Sequence, residues 1–127
     1  MRPALYVGWY VLLLTLLPGC SNNTGPVAGA LAVTLTSPRQ DDGAVLFMVY
    51  GGPVDSIESV GYPVYFARAA DTVKVIITGS VVAGSIARVH IPDSRQASRY
   101  GSRIGQVAER GTYAQHDPAG YDLSLVP

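Results

Sequence analysis

From residue 29 onward the chain alternates between apolar and polar positions in short runs. Ala30 to Thr36 sets Leu31, Val33 and Leu35 against Ala32, Thr34 and Thr36, a period of two that predicts a strand with one buried face. Ser37-Pro38-Arg39-Gln40-Asp41-Asp42-Gly43 interrupts it with turn formers. Ala44 to Tyr50 is apolar at nearly every position, which fits a central strand covered on both sides or flanked closely by loops. Ser56 to Val60 and Val64 to Arg68 are shorter candidates around Gly61-Tyr62-Pro63, and Val73 to Thr78 is the most β-branched segment, with Val73, Val75 and Ile77 on one face. Ser85 to Ile91 alternates Ala87, Val89 and Ile91 against Ile86, Arg88 and His90. A single helical turn over Arg95 to Ser98, capped by Asp93 or Ser94, is followed by a strand from Tyr100 to Glu109 with an irregularity at Gly105. Thr112 to Gly120 reads as a loop. The last run opposes Tyr121, Leu123 and Leu125 to Asp122, Ser124 and Val126.

About seven to eight strands with turn signals every 8–12 residues predict an all-β fold, an antiparallel β-sandwich over residues 29–127. Amphipathic runs of helical length are missing from the pattern, which excludes a doubly wound α/β architecture. Three stretches carry a likeness to known folds: Gly29-Ala30-Leu31-Ala32-Val33-Thr34-Leu35-Thr36, Asp41-Asp42-Gly43-Ala44-Val45-Leu46-Phe47 and Val89-His90-Ile91-Pro92-Asp93. In them the chain resembles the cohesin-like and immunoglobulin-like sandwiches of exported bacterial proteins. A cohesin-like identity would imply protein binding. The core cysteines and tryptophan of antibody-type domains are not part of the pattern, since Cys20 and Trp9 both precede the strands.

The N-terminus follows another rule. Met1-Arg2-Pro3 is a short positive start, and Ala4 to Leu17 is a predominantly apolar run with five leucines from Leu12 to Leu17. A spanning helix needs roughly 20 apolar residues, so this run has the length of a signal-peptide core. It ends in Leu17-Pro18-Gly19-Cys20, which resembles the lipobox of bacterial lipoproteins, with Pro18 between the aliphatic and small residues. The resemblance implies a signal peptide over residues 1–19 and cleavage before Cys20, whose thiol sulfur takes a diacylglycerol by thioether. Acylation of the freed amine would add a further chain, and two chains anchor stably where one does not. As the only cysteine of the chain, Cys20 has no partner for an internal disulfide. Residues 20–28 then read as the lipidated cysteine and a flexible tether, Ser21-Asn22-Asn23-Thr24-Gly25-Pro26 being polar and turn-rich. Ser21 stands where an aspartate would favour the inner membrane, so the expected address is the cell envelope, and the outer membrane where one exists.

Composition narrows the function. The 127 residues are 48% hydrophobic and 14% charged with a formal net charge of +0, which gives no electrostatic footprint for nucleic acid. Neither a zinc spacing nor a Gly-x-Ser-x-Gly elbow occurs, so no cofactor and no catalytic residue is expected. His116-Asp117-Pro118 reads as an exposed turn. Asp41-Asp42-Gly43 reads as a type I turn, the alternative being two oxygen donors toward calcium, which wants six to eight. Arg95, Arg99 and Arg103 are spaced by four and could gather guanidinium groups on one side for phosphates or carboxylates. Tyr62 and Tyr113 lie in loop-like sequence and are the tyrosines best placed for a ligand surface, while Tyr50, Tyr65, Tyr100 and Tyr121 read as core residues with their hydroxyls at its rim.

The leading expectation is a non-enzymatic, lipid-anchored domain that contacts another envelope protein, with the membrane as a partner through Cys20. A carbohydrate- or anion-binding module is the alternative. A small envelope hydrolase is the third reading, and a close His–carboxylate–hydroxyl set would mark it.

Overall fold

The computed structural model describes residues 25–39 and 41–127, so the expected leader, Cys20 and most of the expected tether lie outside the described residues. Nine strands form two antiparallel sheets. They are β1 (Gly29–Thr36), β2 (Asp42–Tyr50), β3 (Ser56–Ser59), β4 (Val64–Ala69), β5 (Thr72–Val81), β6 (Gly84–Ile91), β7 (Gly101–Glu109), β8 (Gln115–His116) and β9 (Asp122–Val126). One sheet has the order β3-β6-β1-β9 and the other β4-β5-β2-β7-β8. The fold is the all-β antiparallel sandwich that the alternation predicts.

The core lies between the sheets. Leu31, Val33 and Leu35 of β1 face Val45, Phe47 and Val49 of β2, flanked by Val75 and Ile77 of β5 and by Val89 and Ile91 of β6, all buried. Burying such side chains is what drives two half-apolar sheets together. The alternation in β1, β5 and β9 matches the sequence. In β2 the apolar run is not covered on both sides: Val45, Phe47 and Val49 are buried, whereas Ala44, Leu46 and Met48 on the other face are half-exposed.

Four departures have local causes. Asp42 and Gly43 do not form a turn but begin β2, with a bulge between Asp42 and Ala44. Only glycine fits at 43, because a Cβ there would come within 2.8 Å of Glu109 O. In β6 a second bulge, opposite Val33 and Thr34, inserts Ile86, so Ile86 and Ala87 are both buried and the strict alternation is broken. The stretch read as a loop from Thr112 to Gly120 contains β8, where Gln115 and His116 turn back to pair with Ala108 and Val107. The helical turn is a 3-10 helix, Ser94–Arg99, with Asp93 Oδ1 accepting from Arg95 N at 3.1 Å.

Two loops fix the ends of the sandwich. At one end Gly51 has φ 108 and sits so close to Arg99 O that a Cβ would clash at 2.0 Å. That contact seats the β2–β3 loop on the 3-10 helix, and Tyr100, buried beside it, donates its hydroxyl to Pro53 O. Val27 O accepts from Ser94 N at 2.7 Å, so the chain also enters β1 at this end. At the other end the buried Asp42 accepts from Tyr121 Oη at 2.8 Å and from Ser37 Oγ at 3.1 Å. Burial, and then the Asp42 hydrogen bond, raise the Tyr121 phenol above its ordinary value.

Candidate interaction surface

A sandwich has four edge strands, and each leaves a row of unpaired backbone groups unless it is protected. Here the edges are β3, β9, β4 and β8. Of these, β8 has two residues and β3 has four, with Glu58 paired to His90 Nε2 at 2.9 Å. Five-residue β9 carries Asp122 at its start and is followed by Pro127. β4, Val-Tyr-Phe-Ala-Arg-Ala, is the longest at six residues and is exposed at all but its first position.

The register of β4 against β5 decides where its side chains go. Tyr65, Ala67 and Ala69 pair with Ile76, Lys74 and Thr72, on the outer face of the five-stranded sheet. Phe66 and Arg68 pair with the buried Val75 and Val73, on the inner side. Both aromatic residues are nevertheless open, Tyr65 at 64% and Phe66 at 40% of full exposure. The single charge of the strand is turned back on its own chain: Arg68 Nη2 donates to Val54 O and Asp55 O, both at 2.8 Å, and its guanidinium lies 5.7 Å from the Phe66 ring centroid. A cleft of about 640 Å³ opens beside it, walled by Gly51, Gly52, Val54, Arg68, Asp71 and Thr72.

The outer face of the same sheet is a second open surface. Tyr50, at 44% exposure, lays its ring over Gly101, and Ile76 is 39% exposed. Between them Leu46 and Met48 border a shallower cleft of about 450 Å³ that Lys74 and Arg103 also line. Comparison with protein families, with curated proteins and with solved structures finds no match for this chain.

The structure separates most of the residues expected to form a ligand surface. Arg95 and Arg99 belong to the 3-10 helix and Arg103 to β7. A spacing of four does not stay on one side of a helix with three residues per turn, and the strand beyond restarts the pattern. Arg95 pairs with Asp93 at 3.1 Å. Tyr62 is half-buried against the core, with its hydroxyl accepting from Val82 N at 3.4 Å. Tyr113 is exposed in the β7–β8 connection with φ 55. The two tyrosines stand beside β5 and β7 respectively, with β2 between those strands. Tyr50 and Tyr65, read as core residues, are on the surface instead.

The other candidate polar groups are used locally. His116 is not in an exposed turn: it belongs to β8, and its solvent-shielded Nε2 lies 3.6 Å from Glu109 Oε2 without a hydrogen bond. Asp117 Oδ1 accepts from Ala119 N at 3.0 Å in the following turn. Asp41 and Asp42 have different partners, and the described residues contain no group of three or more His, Cys, Asp or Glu side chains arranged to hold a metal.

Asp41 accepts from Ser80 Oγ at 2.6 Å and from Arg110 Nη1 at 2.9 Å. The Ser80 hydrogen bond, and then the Arg110 guanidinium, hold its carboxyl below its ordinary value of 3.8. A depressed carboxylate stabilises the fold fully above the ordinary value and loses that contribution as pH falls through the depressed one. An NMR titration of Asp41 should give a midpoint below 3.8, and Arg110→Ala should raise it. A midpoint at or above the ordinary value in the parent protein would contradict this geometry.

Proposed function

We propose that the chain is an exported, lipid-anchored, non-enzymatic envelope protein whose sandwich recruits another protein by strand addition at β4. The Leu17-Pro18-Gly19-Cys20 motif supports the anchor, and the polar residues that follow it support a tether. The resemblance to cohesin-like and immunoglobulin-like domains agrees with protein binding. The observation that carries the reading is β4 itself, an edge of six residues with aromatic side chains open on both faces and its one charge folded back. Such an edge offers main-chain hydrogen bonds for affinity, while Tyr65 and Phe66 select the side chains of the added strand. The polar groups that could have suggested a reaction, Asp41 with Ser80 and Arg110 and Asp42 with Tyr121 and Ser37, are engaged with one another at a strand end.

The test is photocrosslinking in cells, with a benzophenone amino acid in place of Tyr65, Phe66 or, as a control, Val126 on β9. A discrete protein adduct at 65 and 66 but not at 126 is the expected result. The same pattern at all three positions, or no adduct at 65 and 66, would contradict strand addition at β4.

A further inference from the structure

We infer that the outer face of the five-stranded sheet carries a second site, for an anionic polysaccharide, centred on Lys74 and Arg103 and sharing only Tyr65 with the β4 edge. Met48 in β2 pairs with Lys74 on one side and with Arg103 on the other, so the two cations form one cross-strand row. Two inter-strand steps put their Cα atoms about 10 Å apart. Both line the same cleft of about 450 Å³, and among the described residues neither has an ion-pair partner. No acidic residue shares this face along the paired rows from Ala44 to Tyr50. The acids at its margins are placed elsewhere, Asp41 paired with Arg110 and Asp71 in the wall of the larger cleft. A protein of zero formal net charge thus concentrates two uncompensated positive charges on one face of the sheet.

The rest of the face favours a polyhydroxylated ligand over an acidic protein. A protein partner would want a largely apolar pocket for a buried anchor residue, but this cleft mixes Leu46 and Met48 with Thr72, Gln106 and the two cations. Tyr65 and Tyr50 stand open on either side of the Lys74 row, two residues away along the strands in opposite directions. Exposed phenols give sugar rings a surface to stack on and a hydroxyl to bond, while the cations take the acid groups. Carboxylate and phosphate substituents share this chemistry.

The full-length protein, solubilised in detergent, should be assayed by affinity electrophoresis against polygalacturonate, phosphorylated dextran, polyglutamate and neutral dextran. Retardation by one or both charged polymers but not by neutral dextran, falling with added salt, is expected. Lys74→Glu or Arg103→Glu should each weaken it roughly tenfold, and Tyr65→Ala should weaken it less. Arg88→Glu, on the other sheet, should leave it unchanged. Because these side chains face solvent, Lys74→Gln and Arg103→Gln provide folded controls that remove the charge without reversing it. Equal retardation by neutral dextran, retardation indifferent to Lys74 and Arg103, binding to polyglutamate alone, or no binding would overturn the inference. The Lys74 and Arg103 results do not depend on whether β4 recruits a protein, since neither residue belongs to β4.

Discussion

Phe47→Ala is expected to cost about 3–5 kcal/mol of folding stability. Phe47 is fully buried at the centre of β2, paired with Val75 on one side and Ile104 on the other, and is the largest of the completely buried side chains among the described residues. Truncation there loses the transfer energy of a ring and leaves a cavity that two pinned sheets collapse into poorly. Domains of this size are stable by only about 5–15 kcal/mol, so the variant should unfold at a much lower denaturant concentration with little change in slope. A loss below about 1 kcal/mol, far under the range for buried aromatic truncations, would mean that the two sheets do not share the core described above.

That core was legible from the sequence because it needs only local information. A strand with one buried face writes its period of two into its own residues, as Leu31-Val33-Leu35 and Val73-Val75-Ile77 do. What was not legible depends on the neighbouring strand. Gly43 and Ile86 are bulge positions, and a one-residue insertion changes which side chains face inward only once a partner sets the register. His116 looked like part of a turn because a two-residue strand has no pattern of its own.

The candidate surface was less visible still. Spacing groups Arg103 with Arg95 and Arg99, but its companion is Lys74, some thirty residues earlier, and the order β5-β2-β7 alone brings the two together. Tyr65 and Phe66 read as ordinary strand residues. Their exposure follows from the place of β4 at an edge, and no local signal announces an edge. The glycine and proline neighbours of Tyr62 predict a surface position, yet it packs on the core.

The second large effect concerns Cys20, on which the proposed anchor depends. Two acyl chains hold a protein on a membrane where a single chain binds only marginally, so Cys20→Ala should abolish the lipid anchor, leaving only the uncleaved leader to hold the chain at the membrane. Metabolic labelling with an alkyne fatty acid should tag the parent protein and miss the variant, which should keep its leader. Equal labelling of the two proteins would remove the anchor from the proposal while leaving the sandwich and its edge as they are.

Strand addition at β4 is the central claim, and amide hydrogen exchange tests it most directly. In the purified full-length protein, the β4 amides that do not bond to β5 should exchange quickly, since they face an open edge. In envelope membranes carrying the same protein at its native level, the account predicts slowed exchange across Val64–Ala69, with β9 unchanged. Identical exchange of β4 in both preparations, or protection gained at β9 instead, would contradict it.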